Sequence, residues 1–255
     1  MVFFSIIHKL ITKEVQYLQD LDLVESVFIK PLRAANPPVI APDLLDDFID
    51  ELFGNILDLR ECNRRLLEVL YVRQREENPI ILRIGDIFLD AATEFRFAYP
   101  TYIGHYPISE KKLKDEIDAN PEFRLFLEVC AASPECIWLI IDYHQFQNCS
   151  RQQTSRAADS PKLDLKHFLN RPAEHLQKYP VLLDAIYKET ATENPDSEFL
   201  VEAIESIKNL QSIAQLRTFQ SAMGKGAPGK WEWHDMVPAE MIKDQFSKKE
   251  AKRQS

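Results

Sequence analysis

The side chains of this chain that could do chemistry fall into a few sets. Glu14 is a carboxylate at the period of an apolar helical stripe made by Ile7, Leu10, Ile11, Tyr17, Leu18, Leu21, Val24 and Phe28. A carboxylate on an apolar face costs free energy unless a neighbouring helix pairs it or a partner receives it. Both readings stand at this point: an internal ion pair, or a contact held open for another molecule. A second set, Arg171, Glu174, His175 and Lys178, shares one face of a run between 163 and 190. The other face of that run is apolar: Leu165, Phe168, Leu169, Leu176, Tyr179, Leu183, Ile186 and Tyr187. Pro172 and Pro180 lie inside the run, and each removes a backbone donor and crowds the carbonyl four residues earlier. Something must reward a long helix that keeps them.

Two further sets carry little. Gly224, Gly226 and Gly229 satisfy G-x-G-x-x-G, and with Lys230 they come close to the phosphate-cradling G-x-x-x-x-G-K-[ST]. They follow a helix and not a strand, Pro228 removes one of the amides, and Trp231 stands where a hydroxyl must ligate magnesium. A hinge is the expectation there. Cys62, Cys130, Cys136 and Cys149 form no C-x-x-C pair and, with scattered histidines, no zinc set, so reduced thiols are expected. No Ser-His-Asp or Cys-His arrangement assembles, which argues against a hydrolase.

The elements that must position these groups are helical throughout. With 255 residues, six glycines and 45% apolar content, the composition favours a helical globular protein. A net charge of −9 argues against nucleic acid or an anionic membrane as the main partner and fits a protein with a basic patch. The start, Met1 to Ile7, is apolar but lacks a basic flank, and His8 and Lys9 interrupt it far short of a spanning length, so no direct membrane insertion is expected. Asn148-Cys149-Ser150 matches a glycosylation sequon, without consequence where no secretory signal is read.

In chain order, periodicity predicts a first helix over 6–32 and a proline-rich linker from Ala34 to Pro42. A helix or helix pair follows over 44–76, capped by Asp43, with Arg60, Arg64 and Arg65 on a solvated face. An aromatic-rich helix over 80–104 is expected to break at Pro107 and resume over 109–130 with Ser109 as cap and an interruption near Asn120-Pro121. Residues 131–162 form an anomalous insertion to which no chemistry is assigned, and a last helix spans 198–222. The architecture expected is all-α, an elongated antiparallel bundle of long helices.

Three stretches carry a resemblance to a known family. The run Leu-x-x-Phe-Leu-x-Arg-Pro-x-x-x-Leu-x-Lys-Tyr-Pro-x-Leu-Leu from Leu165 to Leu183 resembles the third signature of the Dbl-homology (RhoGEF) domain, most of all in fungal members. Leu10 to Leu21 is similar to the first signature and Leu52-Phe53-Gly54-Asn55-Ile56 to the second. The resemblance implies a guanine nucleotide exchange factor for a Rho-family small GTPase over 1–222, needing no cofactor, no metal and no covalent chemistry. It implies that Glu14 engages switch I and that Lys178 and Gln215 dock switch II, with Gln211 one turn earlier as the other candidate. Ala173, Glu174 and His175 stand where the family has Val-Gln-Arg, so Glu174 and His175 join the GTPase-facing candidates as departures from the pattern. An exchange-inactive helical scaffold is the alternative that these departures and the insertion motivate. Residues 223–255, a Gly/Pro hinge and charged tail, are too short for the pleckstrin-homology domain that usually follows this module. A cytoplasmic protein is expected, recruited to the cell cortex or plasma membrane by other domains or partners.

Overall fold

The computed structural model describes residues 2–77, 81–132, 164–191 and 193–223. The chain divides into two compact units, Met1–Ala222 and Met223–Ser255, and the first holds everything below. Beyond residues 131 and 132, the insertion lies outside the described residues, as do the glycine run and the tail.

Among the described residues every element is a helix. They are α1 (Val2–Leu23), continued through a π-helical stretch (Val24–Ile29) into α2 (Lys30–Ala34), then α3 (Leu45–Phe53), α4 (Ile56–Glu76), α5 (Gly85–Ala119), α6 (Pro121–Ala132), α7 (Leu165–Glu189) and α8 (Asp196–Ala222). Side-chain partners fix their directions. Glu14 meets His175 while Asp20 meets Arg171, so α1 and α7 run antiparallel. Arg73 meets Asp86 while Asn63 meets Tyr99, so α4 and α5 do likewise. Glu110 meets Lys166 while Tyr102 meets the Leu169 carbonyl, which sets α5 antiparallel to α7. The core these helices enclose is the expected one: Leu10, Tyr17, Leu59, Leu70, Phe88, Phe95, Tyr99, Leu169, Leu176, Tyr179, Leu183 and Ile207 are all buried.

The exception to the alternation is the pair α5 and α8, which run parallel in close contact. Asp196 opens α8 and accepts hydrogen bonds from the backbone N–H groups of Ile84 (3.0 Å) and Gly85 (2.9 Å), two of the donors that a helix N-terminus leaves without intrahelical partners. Further along, Arg217 near the end of α8 donates to Thr101 in the middle of α5. Glycine permits the approach at both places. A Cβ on Gly85 would lie 2.6 Å from the Leu200 backbone nitrogen, and one on Gly104 2.6 Å from the Arg217 Cβ.

At two of the internal prolines, Pro107 and Pro180, α8 supplies what the proline removes. Pro107 does not break the aromatic helix; α5 runs unbroken through Pro100 and Pro107 to Ala119, correcting the expected stop and the expected cap at Ser109. Pro107 has no N–H for the Ile103 carbonyl, and the Thr218 hydroxyl lies 3.0 Å from that oxygen, sharing its proton with the Ala214 carbonyl at 2.9 Å. Ser109 instead turns its hydroxyl to the Glu51 carbonyl. The same device serves α7, where Pro180 frees the Leu176 carbonyl and Gln211 Nε2 donates to it at 2.9 Å. A helix keeps an internal proline when a neighbour satisfies the exposed carbonyl.

Other boundaries differ from expectation for local reasons. The 44–76 segment is a pair, split where Gly54 takes φ +52°, a left-handed conformation that glycine adopts without steric cost. Asp43 is not the cap; the chain first turns from Ala41 to Leu44, and α3 begins at Leu45. Arg64 and Arg65 do occupy a solvated face, but Arg60 bridges to Glu25 and Asp22 below α1.

Cys130 gives a first prediction. Its thiol is buried on α6, 3.3 Å from the Val27 carbonyl, and burial pushes its pKa up to about 12. The thiolate fraction at pH 8 is then on the order of 10⁻⁴, and the thiolate is the reactive species. Peptide mapping after iodoacetamide treatment of the native protein at pH 8 should find Cys130 unlabelled, and labelled only once the chain is unfolded. Labelling in the native state would contradict this packing.

Candidate functional site

Three of the residues named in the sequence, Glu14, His175 and Tyr179, converge where α1, α4, α5 and α7 meet, while Lys178 and Gln215 do not. Glu14, on the α1 stripe, is 1% exposed. Its Oε1 lies 2.8 Å from His175 Nε2, and its Oε2 accepts from the Tyr179 hydroxyl (3.0 Å) and from Asn63 Nδ2 (3.3 Å). Asn63 Nδ2 also donates to the Tyr179 oxygen (2.8 Å), and Tyr99 donates to Asn63 Oδ1 (2.8 Å) while lying 3.3 Å from the Tyr17 hydroxyl. The Tyr17 ring stacks on the His175 imidazole, centroids 3.8 Å apart. Burial above all, with neighbouring phenols and Glu14 adding, holds the Tyr17, Tyr99 and Tyr179 hydroxyls well above the usual phenol range. These phenols stay protonated and keep their donors.

Of the two readings of Glu14, the internal pair is the geometry found. His175 corrects the face assignment made from periodicity: it points inward, 4% exposed, because the turn of α7 on which it sits faces α1 and supplies the carboxylate's partner. Arg171 turns to the same seam, donating from Nε and Nη2 to Asp20 Oδ2 at 2.8 and 2.6 Å. Glu174 is half-buried at the edge, held by Asn170 (2.8 Å) and 3.7 Å from Arg171. Lys178 and Gln215 are exposed on the adjacent helices α7 and α8, with no side-chain partner among the described residues. Gln211 is occupied by the Pro180 device, which leaves Gln215 as the amide open to a partner.

Sequence reasoning missed Asn63, the hub of the network. Ile56, Leu59, Leu66 and Leu70 mark the buried stripe of α4 at spacings of three and four, and position 63 falls on it. A lone amide on such a stripe is the signal that would have found it.

The arrangement holds no nucleophile with a base and, among the described residues, no cluster of His, Cys, Asp and Glu able to hold a metal. No described helix is long and apolar enough to cross a membrane. What it offers is a hydrogen-bonded four-helix junction with exposed polar and apolar side chains on its outer helices, Lys178, Gln215, Val181, Ile213 and Leu216 among them. Fold and site together define a helical docking module.

Comparison with known proteins specifies the kind. The RhoGEF domain model matches residues 6–214, and the chain belongs to that family. It is 28% identical over 203 residues to Rho1 guanine nucleotide exchange factor 3 of Schizosaccharomyces pombe, covering 79% of this chain and 14% of that protein. It is likewise 28% identical over 205 residues to human Protein ECT2, covering 78% and 19%. The chain thus spans between about a seventh and a fifth of the length of these relatives. In fold it is similar to the PDZ-RhoGEF DH/PH domains solved in complex with GTP-gamma-S activated RhoA, with a TM-score of 0.68 at 20% identity over 86% of this chain and 54% of that one. The DH/PH domains of p115-RhoGEF are similar at a TM-score of 0.66 and 19% identity, covering 86% and 52%.

Proposed function

We propose that this chain is a guanine nucleotide exchange factor for a Rho-family GTPase, acting without covalent chemistry, cofactor or metal of its own. Such a factor accelerates GDP release by binding the nucleotide-free GTPase more tightly than the loaded one, so that its binding energy is realised where the nucleotide has left. The observation that carries the reading is the RhoGEF-family match over 6–214 together with Lys178 and Gln215 standing exposed on neighbouring helices, without a partner among the described residues. In this reading Lys178 and Gln215 dock switch II. Glu14 and His175 act from beneath, fixing α1 against α7 so that the outer faces of both helices meet the switches in register, and Glu174 holds Arg171 at the edge. The protein works in the cytoplasm or at a membrane to which other segments or partners recruit it.

Burial of Glu14 favours one second reading, a scaffold that binds a GTPase without opening it, because the carboxylate expected at switch I is committed inside the bundle. Release of a fluorescent GDP analogue from a panel of Rho-type GTPases, run beside direct binding to the same panel, separates the two. Acceleration of at least one member supports exchange; binding with no faster release supports the scaffold.

A further inference from the structure

The antiparallel register of α1 and α7 brings together Lys9, Lys13 and Lys178, of which only Lys178 takes part in the docking proposed above. Asp20 on α1 pairs with Arg171 on α7 across the open edge of the seam. Lys13 lies seven residues before Asp20 and Lys178 seven residues after Arg171. Seven residues are two helical turns, which return a side chain to nearly the same face. The same edge that joins Asp20 to Arg171 therefore sets Lys13 opposite Lys178. Lys9, one turn before Lys13, extends the row.

Nothing within the described protein neutralises them. Lys9 and Lys178 are exposed, Lys13 is half-buried, and none forms an ion pair. The acidic groups nearest along the two helices are committed elsewhere. Glu14 is buried against His175 and Tyr179, Asp20 is taken by Arg171, and Glu174, one turn from Lys178, is held by Asn170 and Arg171. In a chain of net charge −9, a row of unpaired like charges across a helix seam is unfavourable until an anion enters it.

We infer that Lys9, Lys13 and Lys178 form a cationic rim that receives a carboxylate-bearing segment of the partner GTPase, and that this rim helps to select among GTPases. The inference rests on the exchange-factor reading and adds Lys9 and Lys13 to it. Lysines of this kind act as mobile point charges, suited to carboxylates presented at varying angles. Complementary charge at an interface mainly sets association rate and partner choice, and its effect fades as salt screens it.

The test is GDP release from the most responsive Rho-type GTPase at low and at high salt, with the whole chain as wild type, Lys9→Glu, Lys13→Glu, Lys13→Gln and Lys114→Glu. Lys114 is an exposed lysine near the end of α5, away from the seam. The expected result is a fall of about tenfold or more for the Lys13 and Lys9 reversals at low salt, a smaller fall for Lys13→Gln, and a loss at high salt that is steep for wild type and shallow for the reversals. Lys114→Glu should stay within about twofold of wild type, with melting temperatures unchanged throughout. An active wild type that the Lys9 and Lys13 changes leave unaltered, or an equal loss in Lys114→Glu, overturns the rim and leaves the exchange reading standing. A wild type that neither accelerates nor binds any member overturns the exchange reading, and the rim with it.

Discussion

Glu14→Ala will lose about 3–5 kcal/mol of folding stability, because it leaves several buried polar groups without a hydrogen-bond partner. Its carboxylate serves three donors from three other positions, His175, Tyr179 and Asn63. With alanine there, each of those groups is left short of a partner in a site that water does not reach, at about 1–3 kcal/mol per orphaned group. Relaxation of the side chains recovers part of this, which keeps the total below the simple sum. For a domain of this size the loss is a fall in melting temperature of roughly 6–20 °C. Glu14→Gln keeps the shape and one acceptor oxygen and should cost less. A double-mutant cycle with His175→Ala should show a coupling above about 1 kcal/mol, since residues in one hydrogen-bond network do not behave additively. A Glu14→Ala protein that melts within about 2 °C of wild type would show that the carboxylate is not built into the junction.

Gly85→Ala is expected to be the most damaging single methyl group in the chain. The added carbon would sit 2.6 Å from the Leu200 backbone nitrogen, 2.8 Å from Phe199 Cβ and 2.9 Å from Asp196 Oδ1. Backbone cannot swing aside as a long side chain can, so α8 must move off α5. That movement also draws the Asp196 carboxylate away from the Ile84 and Gly85 amides it satisfies. Overpacking costs about 1–3 kcal/mol by itself, and losing hydrogen bonds to a charged acceptor adds about 1.5–3. A fall of about 3 kcal/mol or more, read as roughly 6–12 °C in a thermal melt, is the expected outcome. Gly104→Ala should also destabilise, because the Arg217 Cβ 2.6 Å from the added carbon is fixed by the α8 backbone, but with that single contact under 3.0 Å, against three at Gly85, its loss should be the smaller. Equal stability of both variants with wild type would mean that α5 and α8 do not approach this closely.

What the sequence made legible was whatever depends on one helix at a time. The apolar stripes of α1, α4, α7 and α8 and the retention of Pro172 and Pro180 were all readable from spacing. What it hid depends on how two helices meet. Pro107 looked like a stop because the hydroxyl that serves the carbonyl it frees comes from Thr218, more than a hundred residues away. His175 looked solvent-facing because the partner that draws it inward, Glu14, is on another helix. Tyr17 and Tyr179 were rightly placed in apolar stripes, but periodicity reports where a ring packs and is silent on where its hydroxyl points. Counting could not separate Gln211 from Gln215 either; only the packed helices show Gln211 donating to the carbonyl that Pro180 frees, which is why Gln215 is the amide proposed to meet a partner.

The function proposed is exchange carried by open surface groups on α7 and α8 and supported from below by the Glu14 junction. It is tested most directly by the rate of GDP release from a responsive Rho-type GTPase, comparing wild type with Lys178→Ala, Gln215→Ala and the double variant. Both side chains are exposed and have no partner among the described residues, so melting temperatures should not change, while losing an interfacial charged contact should slow release by about 30-fold or more for Lys178→Ala and further for the double variant. Exchange as fast in the double variant as in wild type would place the GTPase on another face of the bundle.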